Sequence, residues 1–266
     1  MARPRERKRH VQQDWLNQDG TKKVRKRNKG ARPVGRPRKA GAGAPHTIRE
    51  AFKPSEPLHI VLRVEEVMRN LRKRNMYRAL RAATLAVASR EDFRIVHVSI
   101  QRLHVHLLVE ADGKRALSRG LQAFEISAAK HLNAALKWKK RRRGKVFTDR
   151  YHSEVIRSRR QARHALAYVL NNWRKHREDQ GRNWNVDPFS TGCSFTGWKA
   201  FEERLLMWNV PATYEPMFVW LPKTWLLREG WMLYGRIDFH EVPSSAAKRA
   251  NQPKRSLRAL PQLTDA

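Results

Sequence analysis

The stretch Arg102-Leu103-His104-Val105-His106-Leu107-Leu108-Val109-Glu110 constrains the chain more than any other. Side chains alternate across a strand, so His104 and His106 project from one face while Val105 and Leu107 project from the other. The apolar face demands a second layer to bury it. Two imidazoles on one side of a rigid element make half of a metal site. A complementary stretch lies at Tyr168-Val-Leu-Asn-Asn172, where a helix would stack Tyr168 and Asn172 at i and i+4. By spacing alone, hydrogen-bonded strand histidines are the simpler account. The surrounding elements have to carry a metal role.

Those elements read in order. Leu58 to Val64 alternates and is rich in β-branched residues, which predicts a first strand. Val67 to Ser89 predicts a helix, with Leu71, Leu80, Leu85 and Ala88 among good helix formers. Phe93 to Ile100 predicts a second strand, with Ile95, His97 and Ser99 on one face and Val96, Val98 and Ile100 on the other. It forms a hairpin with the histidine strand. Ala116 to Leu136 is a second long helix, and Val146 to Ile156 a further strand or extended segment. Ser158-Arg-Arg-Gln161 fits a capping box that opens a third helix, in which Ala165, Leu166, Val169 and Leu170 mark the buried stripe. Tyr168 and Asn172 lie at the edge of that stripe. The order is that of a split βαβ unit. The expected fold is therefore α+β and ferredoxin-like over residues 56–180, with helices on one sheet face, the other face left available, and one added helix carrying the tyrosine.

The flanks are different in kind. Residues 1–55 hold roughly 17 Lys and Arg against 4 acids, with few apolar side chains, and are expected to be a disordered basic arm. Within it Gly35-Arg36-Pro37-Arg38-Lys39 resembles an AT-hook, whose arginines suit the negative potential of a narrow minor groove. Gly41 to Pro45 supplies a joint. A cationic loop, Lys137 to Lys145, sets Trp138 among Lys139, Lys140, Arg141, Arg142 and Arg143, which suits phosphate contact with base stacking. Residues 181–245 form a small irregular module. Trp184, Trp198, Trp208, Trp220, Trp225 and Trp231 are read there as core rather than stacking platforms, and Pro188, Pro211, Pro216 and Pro222 interrupt long helices. Residues 246–266 are expected to be a loose tail.

Charge bounds the partner. The chain of 266 residues carries 57 Lys and Arg against 24 Asp and Glu, a formal net charge of +33. Such an excess calls for a polyanion, and nucleic acid is the expected one. A membrane partner is disfavoured, since no apolar run approaches about 18 residues and no secretory signal opens the chain. The one cysteine, Cys193, allows neither an intrachain disulfide nor a cysteine zinc cage, in keeping with a reducing cytoplasm and a place on the nucleoid.

Taken together, the His-apolar-His strand, the βαββαβ order and the Tyr-x-x-x-Asn helix resemble the IS200-like single-tyrosine (HUH, Y1) transposases. The branch most similar is that of the REP-associated tyrosine transposases. Its further likenesses are Gly35 to Lys39 with Gly41 to Pro45, Phe147-Thr-Asp-Arg-Tyr-His152, Leu166 to His176, and Thr224-Trp-Leu-Leu-Arg228. The resemblance implies that Tyr168 is a nucleophile and that His104, His106 and Asn172 hold a divalent ion, Mg²⁺ or Mn²⁺. It implies cleavage and rejoining of single-stranded hairpin DNA through a 5′-phosphotyrosine, with a repeated extragenic palindrome as substrate. The family often works as a dimer, so a homodimer is allowed, and the sequence leaves monomer and dimer open. Some members set the tyrosine of one subunit against the histidines of the other, and the residues leave both arrangements open. One departure is Leu103, where the family commonly has Asn or Asp beside the first histidine.

Other residues compete for these roles. Tyr151, beside His152, is a second tyrosine without a metal-ligand partner at helical spacing, and is assigned to packing or DNA contact. Glu110 shares the histidine face and is read as a solvated strand-end carboxylate rather than an accessory ligand. His97 and Tyr77 are read as structural. The rival to an enzyme is a ferredoxin-like module that binds single-stranded DNA or structured RNA without chemistry. A relic that binds hairpins but no longer cuts them is a third reading.

Overall fold

Three apolar alternations become β1 (Leu58–Arg63), β2 (Phe93–Ile100) and β3 (His104–Ala111), and a short β4 (His152–Val155) completes the sheet. Its order is β2-β3-β1-β4, with each neighbouring pair antiparallel. The computed structural model describes residues 49–136, 142, 144–182, 184–200 and 214–242. Helices α1 (Arg74–Leu85), α2 (Lys114–Ala135) and α3 (Arg159–Lys175) connect and cover the strands. The central place of β3 between β1 and β2 is the split βαβ arrangement expected above. The fold is α+β.

One face of the sheet is closed by α1 and α2. Leu58, Ile60 and Leu62 of β1, Val105, Leu107 and Val109 of β3, and Leu117, Leu121 and Phe124 of α2 are all buried together there. Burying each such side chain contributes roughly 1.5–3 kcal/mol. Gly120 lies mid-helix in α2, where glycine normally costs stability. A Cβ at this position would fall 2.2 Å from the Phe93 ring, so the missing side chain is what lets α2 lie down on β2.

The opposite face is not left available, contrary to expectation. Val96 and Leu108 point outward from it and need cover, and the apolar stripe of α3 (Ala162, Leu166, Val169, Leu170) supplies it. Val186, Phe195, Trp198, Trp231, Ile237 and Phe239 join the same cluster. The C-terminal tryptophans divide between core and surface: Trp198 and Trp231 are buried, whereas Trp220 and Trp225 are half-exposed. Arg72 fastens residues 184–200 to the strands. Its guanidinium donates to both carboxylate oxygens of Asp187 at 2.8 Å and to the Ile100 carbonyl at 2.9 Å.

Two local readings fail for identifiable reasons. The helix expected over 67–89 is shortened to α1, because Arg69 takes a left-handed conformation (φ 61°) and the Leu71 N–H is drawn to the Arg102 carbonyl. The expected faces of β2 are wrong on its first half. A register shift between Ile95 and His97 inserts Val96 as a bulge, so Ile95 shares the helix-covered face with Val98 and Ile100. Val96 goes to the α3 side. The capping box, by contrast, forms as read. Ser158 Oγ accepts from the Gln161 N–H at 3.2 Å, and Gln161 Oε1 accepts from the Ser158 N–H at 3.1 Å.

Candidate active site

The cap matters because it starts the helix that carries the tyrosine. From Ser158, α3 runs across the face bearing the even-numbered residues of β3. Tyr168 thereby reaches the strand histidines of its own chain. Its ring centroid lies 5.3 Å from that of His106 and 5.7 Å from that of His59. His104 and His106 are 4.8 Å apart by the same measure, and His176, just past the end of α3, is 5.3 Å from His104. The sequence-predicted pair and the tyrosine thus come together, and two further imidazoles join them.

Backbone pairing explains the added His59. In the β1–β3 ladder Val61 faces His106 and His59 faces Leu108, so His59 is the diagonal neighbour of His106 on the same face. Their nitrogens meet, His59 Nε2 to His106 Nδ1, at 3.0 Å. The helix supplies the rest. Asn172, Lys175 and His176 follow Tyr168 by four, seven and eight residues, all on one helical face. Lys175 Nζ donates to the Tyr168 hydroxyl at 3.1 Å and sits 4.7 Å from its ring centroid. Sequence reasoning missed His59, Lys175 and His176. Alternation in β1 and the 3.6 period of α3 were the signals that could have found them.

Electrostatics keep the imidazoles neutral. Burial lowers His59 to about 4, helped by His152, and lowers His104 to about 4, helped by His176, Arg63 and Lys175. His106 is held well below the usual range by burial first, then by His59 and His104. His176 is lowered by burial and by Lys175. Near neutral pH these rings therefore offer lone pairs rather than charge.

Whether the site suits a metal rests on its unpaired atoms. His106 Nε2 and both amide atoms of Asn172 are buried without a hydrogen-bond partner. Polar atoms buried this way cost roughly 1–3 kcal/mol each, which a bound ion or its water would recover. Among the described residues no three His, Cys, Asp or Glu side chains are grouped so as to hold a metal ion. Two imidazoles and an amide oxygen are a chemically sensible partial set for Mn²⁺ or Mg²⁺, with positions left for phosphate or water.

The remaining candidates lie elsewhere. Tyr151 packs against the opposite, helix-covered core, under the Arg49 guanidinium at 3.7 Å from its ring centroid. Burial raises its phenol above the usual value. Glu110 is neither solvated nor a ligand: it is buried, and its carboxylate accepts from the N–H groups of Lys223 and Thr224 and from the Thr224 hydroxyl. The carboxylate thus ties β3 to the residues that lead into the short helix α4 (Trp225–Arg228). His97 is structural, its Nδ1 3.0 Å from the Thr191 hydroxyl, and Tyr77 donates to the Glu215 carbonyl at 2.9 Å. Arg142 is tied to Asn133 and to the Lys145 carbonyl at the end of α2. Arg36, Arg38, Lys139, Lys140, Arg141 and Arg143 lie outside the described residues.

The family described as IS200-like transposases matches residues 55–172, a span from just before β1 to Asn172. Over this span, a little under half of the chain, the sequence is similar to the IS200-like transposases. No curated protein matches the chain. Among solved structures, a REP-associated tyrosine transposase bound to a REP hairpin is 20% identical with a TM-score of 0.44, covering 67% of this chain and 99% of that one. A putative transposase from Deinococcus radiodurans is 13% identical with a TM-score of 0.32, covering 52% of this chain and 97% of that one. No helix among the described residues is long and apolar enough to cross a membrane.

Proposed function

We propose that this protein nicks and rejoins single-stranded DNA with Tyr168 as the nucleophile, His104, His106 and Asn172 as holders of a divalent ion, and hairpins of the REP type as substrate. The observation that carries the reading is the 5.3 Å approach of the Tyr168 ring to His106, whose outer nitrogen is buried and unpaired. Tyr168 oxygen attacks the scissile phosphorus, the bond from phosphorus to the 3′ oxygen breaks, and a 5′-phosphotyrosine and a free 3′-hydroxyl result. The phenol proton ends on the departing 3′ oxygen. Attack by a 3′-hydroxyl on the phosphotyrosine reverses the step and frees Tyr168, with no external energy source.

A tyrosine hydroxyl is a weak nucleophile unless a neighbour activates it. Lys175, donating to the Tyr168 hydroxyl, orients that oxygen and is placed to hydrogen-bond it again as the leaving group. A divalent ion held by the two imidazoles and the amide would supply Lewis acidity at the phosphate. The basic arm and cationic loop, Arg36, Arg38 and Lys139 to Arg143, attract the DNA backbone. Because Tyr168 meets the histidines of its own chain, the reading does not require a second subunit to complete the site.

Covalent capture tests it. Labelled single-stranded hairpins are incubated with the protein and Mn²⁺, denatured, and examined for labelled protein. A metal-dependent adduct lost in both Tyr168→Phe and His106→Ala is expected. An adduct that survives Tyr168→Phe would move the nucleophile, and tight hairpin binding with no adduct would favour the binding module.

A further inference from the structure

We infer that His59 is the positioning residue that holds His106 in the one tautomer able to bind a metal ion, an inference that rests on the metal role proposed above for His106. A neutral imidazole carries one N–H and one lone pair, and the hydrogen bond at one nitrogen decides which sits at the other. His106 has one nitrogen engaged and one bare. Its Nδ1 lies 3.0 Å from His59 Nε2, while its Nε2 is buried with no partner. A ligand at Nε2 requires the lone pair there and therefore the proton on Nδ1. That proton then needs an acceptor, and His59 Nε2 is the group in reach.

The geometry suits this assignment. The two rings are nearly parallel, 22° between planes with centroids 5.1 Å apart, so an in-plane N–H of one can meet the in-plane lone pair of the other. The ladder fixes their separation, because His59 and His106 are diagonal partners in a register that runs the length of β1. Tyr168 leans on His59 edge-on at 5.7 Å and confines its ring from the helix side. His59 is not itself a ligand, since the nitrogen it presents to His106 is already used. It does for His106 what outer-layer partners do in metal sites generally: it orients the ring and sets the tautomer.

The test uses the full chain and two variants. His59→Gln keeps a side-chain oxygen near the place of Nε2 and can accept the same proton; His59→Leu cannot. Long-range ¹H–¹⁵N spectra of ¹⁵N-histidine-labelled protein report which ring nitrogen of His106 is protonated, and electron paramagnetic resonance of free Mn²⁺ gives the metal affinity. Near-ultraviolet circular dichroism checks that each variant is folded. His106 is expected to be protonated on Nδ1 in wild type and His59→Gln, and to become a tautomer mixture in His59→Leu. Mn²⁺ affinity should fall about 10–100-fold in His59→Leu and largely recover in His59→Gln. Wild-type affinity in a folded His59→Leu overturns the inference alone, as does an equal loss in both variants. A wild-type chain that binds no Mn²⁺ overturns this inference and the metal reading together.

Discussion

The two faces of the sheet are made by the same strands and follow opposite rules. Toward α1 and α2, β1 and β3 contribute aliphatic side chains buried to completion. Toward α3, the same strands contribute His59, His104, His106 and Glu110 beside Leu108. Buried atoms without partners gather on this second layer: His106 Nε2, both amide atoms of Asn172, Asn171 Oδ1 and Trp173 Nε1. Evolution could have filled that layer with hydrocarbon as it did the first. A layer kept polar at a cost in stability is what a site for an ion and a phosphate requires.

The largest expected effect lies on the first face. Phe124→Ala removes a fully buried ring between α2 and the sheet and should cost about 3–5 kcal/mol, read from urea unfolding. A cost below about 1 kcal/mol would mean that this layer is not the stabilising one, and the contrast between the faces would collapse.

Acid should act on the second face. His97 is lowered by burial to about 4 when folded, whereas the unfolded imidazole takes its proton near 6.5. Below pH 6.5 the unfolded state therefore binds more protons, and stability falls with falling pH until about pH 4. Between pH 6.5 and 5 this one residue should account for roughly 2 kcal/mol of lost stability. His97→Asn, which keeps a polar atom toward Thr191, should flatten the profile by that amount. Parallel profiles for the two proteins would show that His97 is not a buried neutral ring.

Asn172→Leu sharpens the comparison by reversing the usual sign. Replacing a buried, unpaired amide by hydrocarbon of similar size should leave stability unchanged or raise it by about 1 kcal/mol. Formation of the DNA–protein adduct should nevertheless disappear. A destabilised variant would show instead that the amide is satisfied in the folded protein.

The first face was the more legible in the sequence. Strict alternation in β1 and β3 and the helical period of α2 point to one buried layer, and the βαββαβ order follows from them. Two parts escaped for physical reasons. A bulge such as Val96 leaves no mark in composition, yet one inserted residue exchanges the faces of everything after it. The partners of the histidine pair depend on strand register, and His59 becomes a neighbour of His106 only once β1 is aligned beside β3. Glu110 was misread for a related reason. Its partners, Lys223 and Thr224, are more than a hundred residues away in sequence. Tyr168 and Asn172 could be paired from the sequence because their relation is local to one helix.

That locality gives the smallest effect and the cleanest separation of structure from chemistry. Ser158 is exposed, and its hydroxyl satisfies one N–H in the first turn of α3. Ser158→Ala should cost about 0.5–1 kcal/mol, a fall of a few degrees in Tm for a protein of this size. Tyr168 lies ten residues further along the helix, nearly three turns from the cap, and is fixed there by Leu166, Val169 and Leu170 beneath it. Fraying of the first turn should not reach it, so adduct formation well below Tm should stay at the wild-type rate. A proportionate loss of adduct would mean that the tyrosine is positioned by the helix as a whole, and that packing of its buried stripe is not enough to hold the site together.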